Sequence, residues 1–304
     1  MVDWVCTSRK NILSINKKIG ATFIGLLIAT VMAACSSVTE SIDAEISMSE
    51  SPLYGKFIWH DLVTTDINAA REFYSELFGW SYVDTDRPDG TGPYTLIKSG
   101  NAYVGGMVSL DNVDKDVNQS RWIGYMSVED VDRAVADTES AGGTAVVSAR
   151  DVGTIGRAAV VRDPQGAVLG IARVRLGDPD DTNSPNLGKI AWNELLATEP
   201  VQAAEYYSNL AGFDAKTITR RGGEYIKLVA AGTERAGILK NPIEKLPATW
   251  LTYFAVTDPE AASTIVKSAG GSVLIPPSNE FREGTVALVK DPTGAFLMLQ
   301  KWPI

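Results

Sequence analysis

The feature that most restricts how this chain can fold is a repeat within the chain itself. GKFIWHDLVTTDINAAREFYSELFGW, starting at Gly55, returns as GKIAWNELLATEPVQAAEYYSNLAGF from Gly188, an offset of 133 residues. RWIGYMSVEDVDRAVADTESAGG from Arg121 returns as TWLTYFAVTDPEAASTIVKSAGG from Thr249, and VVRDPQGAVLGI returns as LVKDPTGAFLML, both at an offset of 128. Self-similarity at a fixed spacing means that one folded unit was built twice. The units are expected over 55–174 and 188–304. The Asp-, Asn- and Pro-rich stretch 175–187 between them reads as a linker.

Within each unit the pattern alternates between strand and helix signals. FIWHDLVT is β-rich and Asp66 follows it as a helix N-cap. Ala70, Phe73, Tyr74 and Leu77 then fall at i, i+3, i+4 and i+7 before Gly79 stops the helix. Short strands are expected from Trp80, Tyr94 and Ala102. The cycle restarts at Arg121, with Asp130 as N-cap, Val131, Ala134, Val135 and Thr138 on one helix face, and Gly142-Gly143 as the stop. Pro200 and Pro259 sit in the first turns of the matching helices, where proline is tolerated. The chain therefore reads as four βαβββ modules paired into two α+β domains, each a curved mixed sheet with outer helices.

Paired βαβββ modules, a helix ending in FYSELFGW and a late DPQG or DPTG turn resemble the vicinal oxygen chelate superfamily of glyoxalases, extradiol dioxygenases and bleomycin-resistance proteins. The Trp59-His60-Asp61-Leu62 and Trp192-Asn193-Glu194-Leu195 starts are similar to its tandem glyoxalase-like branch. The resemblance implies a divalent metal held by His, Gln or Glu on the inner face of the sheet. It also implies where those ligands stand. Seven residues before Asp66 and Glu199 come Trp59 and Trp192; the fifth-strand positions are Ile123 and Leu251; the last-strand positions are Gly170 and Met298. The fourth-strand position falls near Val104-Gly105 and Arg235-Ala236. None of these is a usual metal ligand. The expectation is a protein without the usual metal site and without another cofactor; the alternative is a divergent metal enzyme, a lyase or dioxygenase, recruiting Asp61, His60 or Glu234. Another alternative is a non-catalytic scaffold whose cups are filled by their own side chains.

Strand alternation sorts the remaining candidates. If Trp59 faces the cup, Asp61 and Tyr125 face it too, and His60, the one histidine, faces the helices. In the second unit Trp192, Glu194 and Tyr253 share the cup and Asn193 takes the place of His60. Asp61 and Glu194 are the candidate catalytic groups, as general bases or orienters of a polar ligand, or else they bond backbone at the sheet edge. An aromatic cup with a few polar tips suits a small, partly aromatic molecule. Gly105-Gly106 reads as a sheet bend.

The amino terminus sets the expected location. Arg9, Lys10, Lys17 and Lys18 precede an uncharged apolar run, Ile19 to Ala34, that ends in Met32-Ala33-Ala34-Cys35. This order reads as a secretory signal over 1–34, and its end resembles a bacterial lipobox, which implies acylation of Cys35 and anchoring to an envelope membrane. Residues 35–54, rich in Ser and Glu, read as a flexible tether. With 28 Lys and Arg against 37 Asp and Glu, a net charge of −9, the chain has no electrostatic case for a nucleic-acid partner.

Overall fold

The computed structural model describes residues 47–112, 119–181, 187–220, 223–242 and 247–303. The signal segment, Cys35 and most of the expected tether lie outside them. Among the described residues no helix is long and apolar enough to cross a membrane.

Each repeat builds one eight-stranded mixed sheet. In the first, β1 (Phe57–Thr64), helix α1 (Ile67–Phe78), β2 (Ser81–Asp86), β3 (Pro93–Ser99) and β4 (Ala102–Ser109) form one module. Strand β5 (Arg121–Ser127), helix α2 (Val131–Ser140), β6 (Thr144–Val152), β7 (Gly156–Arg162) and β8 (Val168–Val174) form the next, and the sheet order is β2-β3-β4-β1-β5-β8-β7-β6. The second repeat follows the same plan with β9 (Ile190–Ala197), α3 (Pro200–Ala211), β10 (Asp214–Arg220), β11 (Gly223–Ala230), β12 (Thr233–Lys240), β13 (Thr249–Val256), α4 (Pro259–Ser268), β14 (Ser272–Ile275), β15 (Val286–Lys290) and β16 (Phe296–Lys301). Its order is β10-β11-β12-β9-β13-β16-β15-β14.

The helices start and stop where the local chemistry requires. Asp66 accepts hydrogen bonds from the Asn68 and Ala69 amides at 3.0 Å, and Gly79 closes α1 at φ 68°. Ala70, Phe73, Tyr74 and Leu77 are all buried. Glu199 makes no side-chain cap for α3. Gln165 of the other repeat clamps the backbone of that residue instead, accepting from the Glu199 amide and donating to its carbonyl, both at 2.8 Å.

The helices are exposed on their outer sides, as expected. They cover one face of each sheet, and that face meets the opposite repeat, so that α1 packs against α4 and α2 against α3. One apolar cluster joins Leu62, Phe73, Tyr74 and Trp122 to Phe254, Val266 and Leu299; a second joins Met126, Val161 and Leu169 to Leu195, Tyr207 and Ile238. Polar contacts cross the same seam in matched pairs. Tyr74 Oη donates to Asp291 Oδ2 at 3.1 Å and Tyr207 Oη donates to Asp163 Oδ2 at 2.8 Å. Trp122 and Trp250 donate their indole N–H to these tyrosines at 2.9 Å each. The DP-turn aspartates thus use Oδ1 to close their own turns and Oδ2 to hold the other repeat.

Residues 47–54, expected within a flexible tether, are fastened along 177–181. The Ser49 amide donates to the Asp178 carbonyl at 2.8 Å, the Asp180 amide to the Ser47 carbonyl at 2.7 Å, and the Leu53 amide to Asp178 Oδ2 at 2.6 Å. These bonds tie the entry to the first repeat to the exit from it.

Candidate functional site

With the helix-bearing face of each sheet turned to the other repeat, the opposite face is left for a site. In β1 the strand alternation holds through the key triplet, although the β1–β5 register slips between Phe57 and Trp59. Trp59 pairs with Tyr125 and Asp61 with Ile123, so all four share the helix-free face. His60 lies on the other side, 4% exposed, with Nε2 3.0 Å from Oδ1 of Asn193, its own counterpart in the second repeat. Burial lowers the His60 pKa from 6.5 to about 4, a shift that the Asn193 bond only partly opposes.

Asp61 is the hub of the first cup. Its Oδ1 accepts from the Trp59 indole N–H at 2.9 Å and from Tyr94 Oη at 2.5 Å; Trp59 Nε1 also lies 2.8 Å from that hydroxyl. The Tyr125 hydroxyl bonds the same carboxyl. Desolvation raises the Asp61 pKa, against the pull of those three donors and the charge of Arg87. Tyr94 and Tyr125 are held well above 10, first by burial and then by the Asp61 charge. Trp59, Asp61, Tyr94 and Tyr125 nonetheless all keep partial solvent exposure.

Glycines make this packing possible. Gly106 stands opposite Asp61 in β4, and a Cβ there would lie 1.7 Å from Tyr94 Oη. Gly170 stands opposite Tyr125 in β8, and a Cβ there would lie 2.4 Å from its ring. Gly105 is tight for another reason, since a Cβ would lie 2.3 Å from the His60 carbonyl. The Gly105-Gly106 pair is therefore a point of close approach and not merely a sheet bend.

The second cup repeats the constellation and then closes it. Trp192 Nε1 donates to Tyr225 Oη at 3.1 Å, Tyr225 bonds Glu194, and Tyr253 Oη donates to Glu194 Oε2 in a short contact. Gly237 stands opposite Glu194, and a Cβ there would lie 1.8 Å from Tyr225 Oη. The difference is Arg282, whose Nη2 donates to Glu194 Oε1 at 2.8 Å and Oε2 at 2.6 Å. Its guanidinium carbon lies 5.5 Å from the centre of the Tyr253 ring, a cation–π distance. Beneath it Glu194 is 1% exposed.

The metal that the fold class implies does not fit these residues. Ile123 packs with Val63, Val146, Val160 and Val168, while Trp192, Leu251 and Met298 pack with Tyr253, Val286 and Leu288. Three of the remaining expected positions are Trp59, whose indole N–H is a donor and not a ligand, Gly170, and the glycine-lined stretch of β4. The alternative recruits are dispersed. Asp61 is in the cup, His60 is in the seam between the repeats, and Glu234 is 2.6 Å from Lys227 Nζ with half its side chain exposed. Among the described residues no three His, Cys, Asp or Glu side chains cluster as a metal site.

Tyr94, Tyr225 and Arg282 are absent from the sequence-based candidates. The first two recur at an offset of 131, between the two offsets of the longer repeats, as do Gly106 and Gly237. Carrying the self-comparison through the third and fourth strands pairs them. Arg282 has no such signal, because the segment before β15 does not resemble its counterpart before β7.

Comparison with known proteins gives one family. The model of the Glyoxalase/Bleomycin resistance protein/Dioxygenase superfamily matches residues 56–171 and again 189–299. A Mycobacterium tuberculosis protein named "Putative glyoxylase CFP32" is 32% identical over 246 residues, covering 80% of this chain and 93% of its own length. The Streptomyces peucetius protein named "Anthracycline biosynthesis protein DnrV" is 28% identical over 255 residues, covering 78% of this chain and 90% of its own. Among solved structures, the Mn(II)-bound glyoxalase from Novosphingobium aromaticivorans matches with a TM-score of 0.53 at 13% identity over 81% of each chain. The 2,3-dioxygenase LapB from Pseudomonas sp. KL28 matches with a TM-score of 0.52 at 14% identity over 82% of this chain and 92% of its own. These two structures share the fold.

Proposed function

The chain belongs to the Glyoxalase/Bleomycin resistance protein/Dioxygenase superfamily, and from that membership we propose that its first cup binds a small, partly aromatic molecule without a metal. The observation that carries the proposal is the state of the two acids. Asp61 keeps partial exposure and is bonded by neutral donors alone, whereas Glu194 is sealed beneath a guanidinium. Trp59 and Tyr125 offer ring surface to a flat guest, and the Tyr94 and Asp61 oxygens offer polar anchors. In any catalysed reaction the proton carrier is Asp61, since burial brings a carboxyl closer to the range in which it both takes and gives a proton near neutrality. The second cup then serves stability.

Phenol is a suitable first probe, with binding followed by tryptophan fluorescence and ligand-observed NMR on the full chain. Trp59→Ala is expected to weaken binding by about tenfold through lost stacking area, while Trp192→Ala leaves it within about twofold. His60→Ala is expected to lower the melting temperature without changing phenol binding. Binding that depends on Trp192, or that appears only with Mn(II) or Zn(II) and vanishes in His60→Ala, overturns the proposal in favour of a divergent metal enzyme.

The same proposal places the protein on an envelope membrane through acylated Cys35. Its support is the order of basic, apolar and small residues before Cys35 and the strongly acidic remainder of the chain. Mass spectrometry of the cell-derived protein tests it: an unmodified Cys35, or a Cys35→Ser variant that fractionates like the parent, removes the anchor.

A further inference from the structure

The rim of the first cup is built from hairpin tips that come from opposite edges of the same sheet. Strands β2 and β3 lie at one edge, β6 and β7 at the other, and yet their turns touch. Asp89 of the first turn pairs with Arg150 of β6 at 3.3 Å, and the carbonyl of Pro88 approaches Gly153 so closely that a Cβ there would lie 2.4 Å away. The sheet is thus clasped around its helix-free face, above Asp61 and Tyr125.

The clasp brings two guanidiniums to the edge of the cup. Arg87 and Arg150 both act electrostatically on Asp89 and on Tyr125, and Arg87 reaches Asp61 as well. The carboxylate that pairs with Arg150 among the described residues is Asp89, whose side chain is 9% exposed. Its Oδ1 is held by the Thr91 amide at 3.0 Å and the Thr91 hydroxyl at 2.6 Å, which leaves Oδ2 for Arg150. Among the described residues, the side-chain hydrogen bond of Arg87 is a 3.4 Å contact from Nη1 to Thr91 Oγ1. The rim thus holds Arg150 against an internal carboxylate, Asp89, while Arg87 has no carboxylate at ion-pair distance among the described residues.

We propose that this rim recognises the carboxylate of an aromatic acid whose ring enters the first cup, with Arg87 and Arg150 as the specificity-determining residues and Asp89 as the internal competitor that holds the clasp shut. The inference rests on the small-molecule reading of that cup and adds the charge of its guest. A ligand carboxylate that replaces Asp89 on Arg150 gains a charge-assisted pair without stranding either arginine, and it frees the two hairpins to admit the ring. The second repeat shows the same edge used differently: its hairpin arginine, Arg282, reaches down to the acid on the floor instead of being held at the rim.

The test compares 4-hydroxybenzoate with 4-hydroxybenzamide, which has the same shape without the charge. Both are titrated against the full chain in an uncharged detergent by calorimetry and tryptophan fluorescence. The acid is expected to bind about tenfold more tightly than the amide, the worth of one charge-assisted pair. Arg87→Gln and Arg150→Gln are each expected to erase most of that preference, read as the ratio of acid to amide affinity. Arg150→Lys retains the charge and most of the preference, which separates a lost cation from a disordered hairpin. Asp89→Asn is expected to strengthen binding of the acid by a few fold. Equal binding of acid and amide, or a preference that survives both arginine-to-glutamine variants, overturns the anion inference and leaves the cup reading standing. Failure of both compounds to bind overturns the two together.

Discussion

The two cups share an acid on the first strand, an indole two residues before it, tyrosines on the third and fifth strands, and a glycine opposite the acid that leaves room for a hydroxyl. They differ in the position of one arginine. In the first cup the hairpin arginine stays at the rim with Asp89; in the second it descends to Glu194 and buries it. A carboxylate facing neutral donors pays for its desolvation with a raised pKa, which keeps a proton available, whereas one facing a guanidinium is held in an ion pair. The same position in the same fold is thus set up for proton exchange in one repeat and for cohesion in the other. The difference lies in a loop and not in the strands.

The largest expected effect comes from breaking the second cup. Arg282→Ala removes the cation bonded to a carboxylate that is 1% exposed, and denaturant unfolding is expected to show a loss of about 3–5 kcal/mol. Adding Glu194→Gln to that variant is expected to recover most of the loss, because a neutral amide no longer needs the charge. In the first cup no single rim arginine carries such a penalty. An Arg150→Gln variant as destabilised as Arg282→Ala contradicts the distinction drawn between the cups.

The next effect concerns the seam that relates the cups. His60 stays neutral in the folded protein down to a pKa of about 4, while the unfolded chain takes up the proton at 6.5. Stability from this group is complete above pH 6.5 and is lost as pH falls from 6.5 to 4, by up to about 3 kcal/mol. His60→Asn places the second repeat's residue in the first and makes the pair symmetric. Its stability relative to the parent is expected to rise across that window, as read by thermal melts at fixed pH. A parent-to-variant difference that is flat from pH 7 to pH 4 shows that His60 is not held neutral.

Much of this was legible in the residues. Strand alternation placed Trp59, Asp61 and Tyr125 on one face and His60 on the other, because the register slip in β1 falls before Trp59 and leaves the triplet untouched. The helix of Ala70, Phe73, Tyr74 and Leu77 followed from spacing and caps. What those helices cover was not legible. An apolar helix stripe says that something is buried, and here the partner is partly the other repeat, announced in sequence only by the polar tips Tyr74 and Tyr207. Arg282 escaped because its role depends on a loop whose backbone is left-handed at two successive non-glycine residues, φ 50° at Arg282 and 56° at Glu283. No periodic pattern encodes that turn.

The paired glycines sharpen the comparison at smaller cost. Gly106→Ala and Gly237→Ala each push a methyl into a tyrosine hydroxyl, but the two tyrosines have different room to retreat. Tyr94 is partly exposed and can swing toward solvent, giving up its bond to Asp61, whereas Tyr225 is buried. Calorimetric melts are expected to show Gly237→Ala as the more destabilising, by about 1–3 kcal/mol. Ligand titrations are expected to show Gly106→Ala as the more damaging to the first cup. A reversed ranking means that Tyr94 is as tightly held as Tyr225.

The smallest expected effect is also the most diagnostic, because it compares the same chemical change in both cups. The folded-state pKa of Asp61 lies above its unfolded value, so the folded protein holds the proton longer than the unfolded chain does, and stability declines as pH rises through that interval. Asp61→Asn keeps an acceptor oxygen for the hydroxyls and abolishes the titration. It is therefore expected to match the parent within about 1 kcal/mol at acid pH and to be the more stable protein at pH 8. Glu194→Gln removes the partner of a buried guanidinium and is expected to be the less stable protein at both pH values. Opposite signs at pH 8 for two carboxyl-to-amide changes at equivalent positions are what a proton-exchanging acid and an ion-paired acid should give. Equal signs require Asp61 to be paired with a cation as Glu194 is, and Arg87, whose charge already reaches Asp61, is the one residue at the rim placed to supply it.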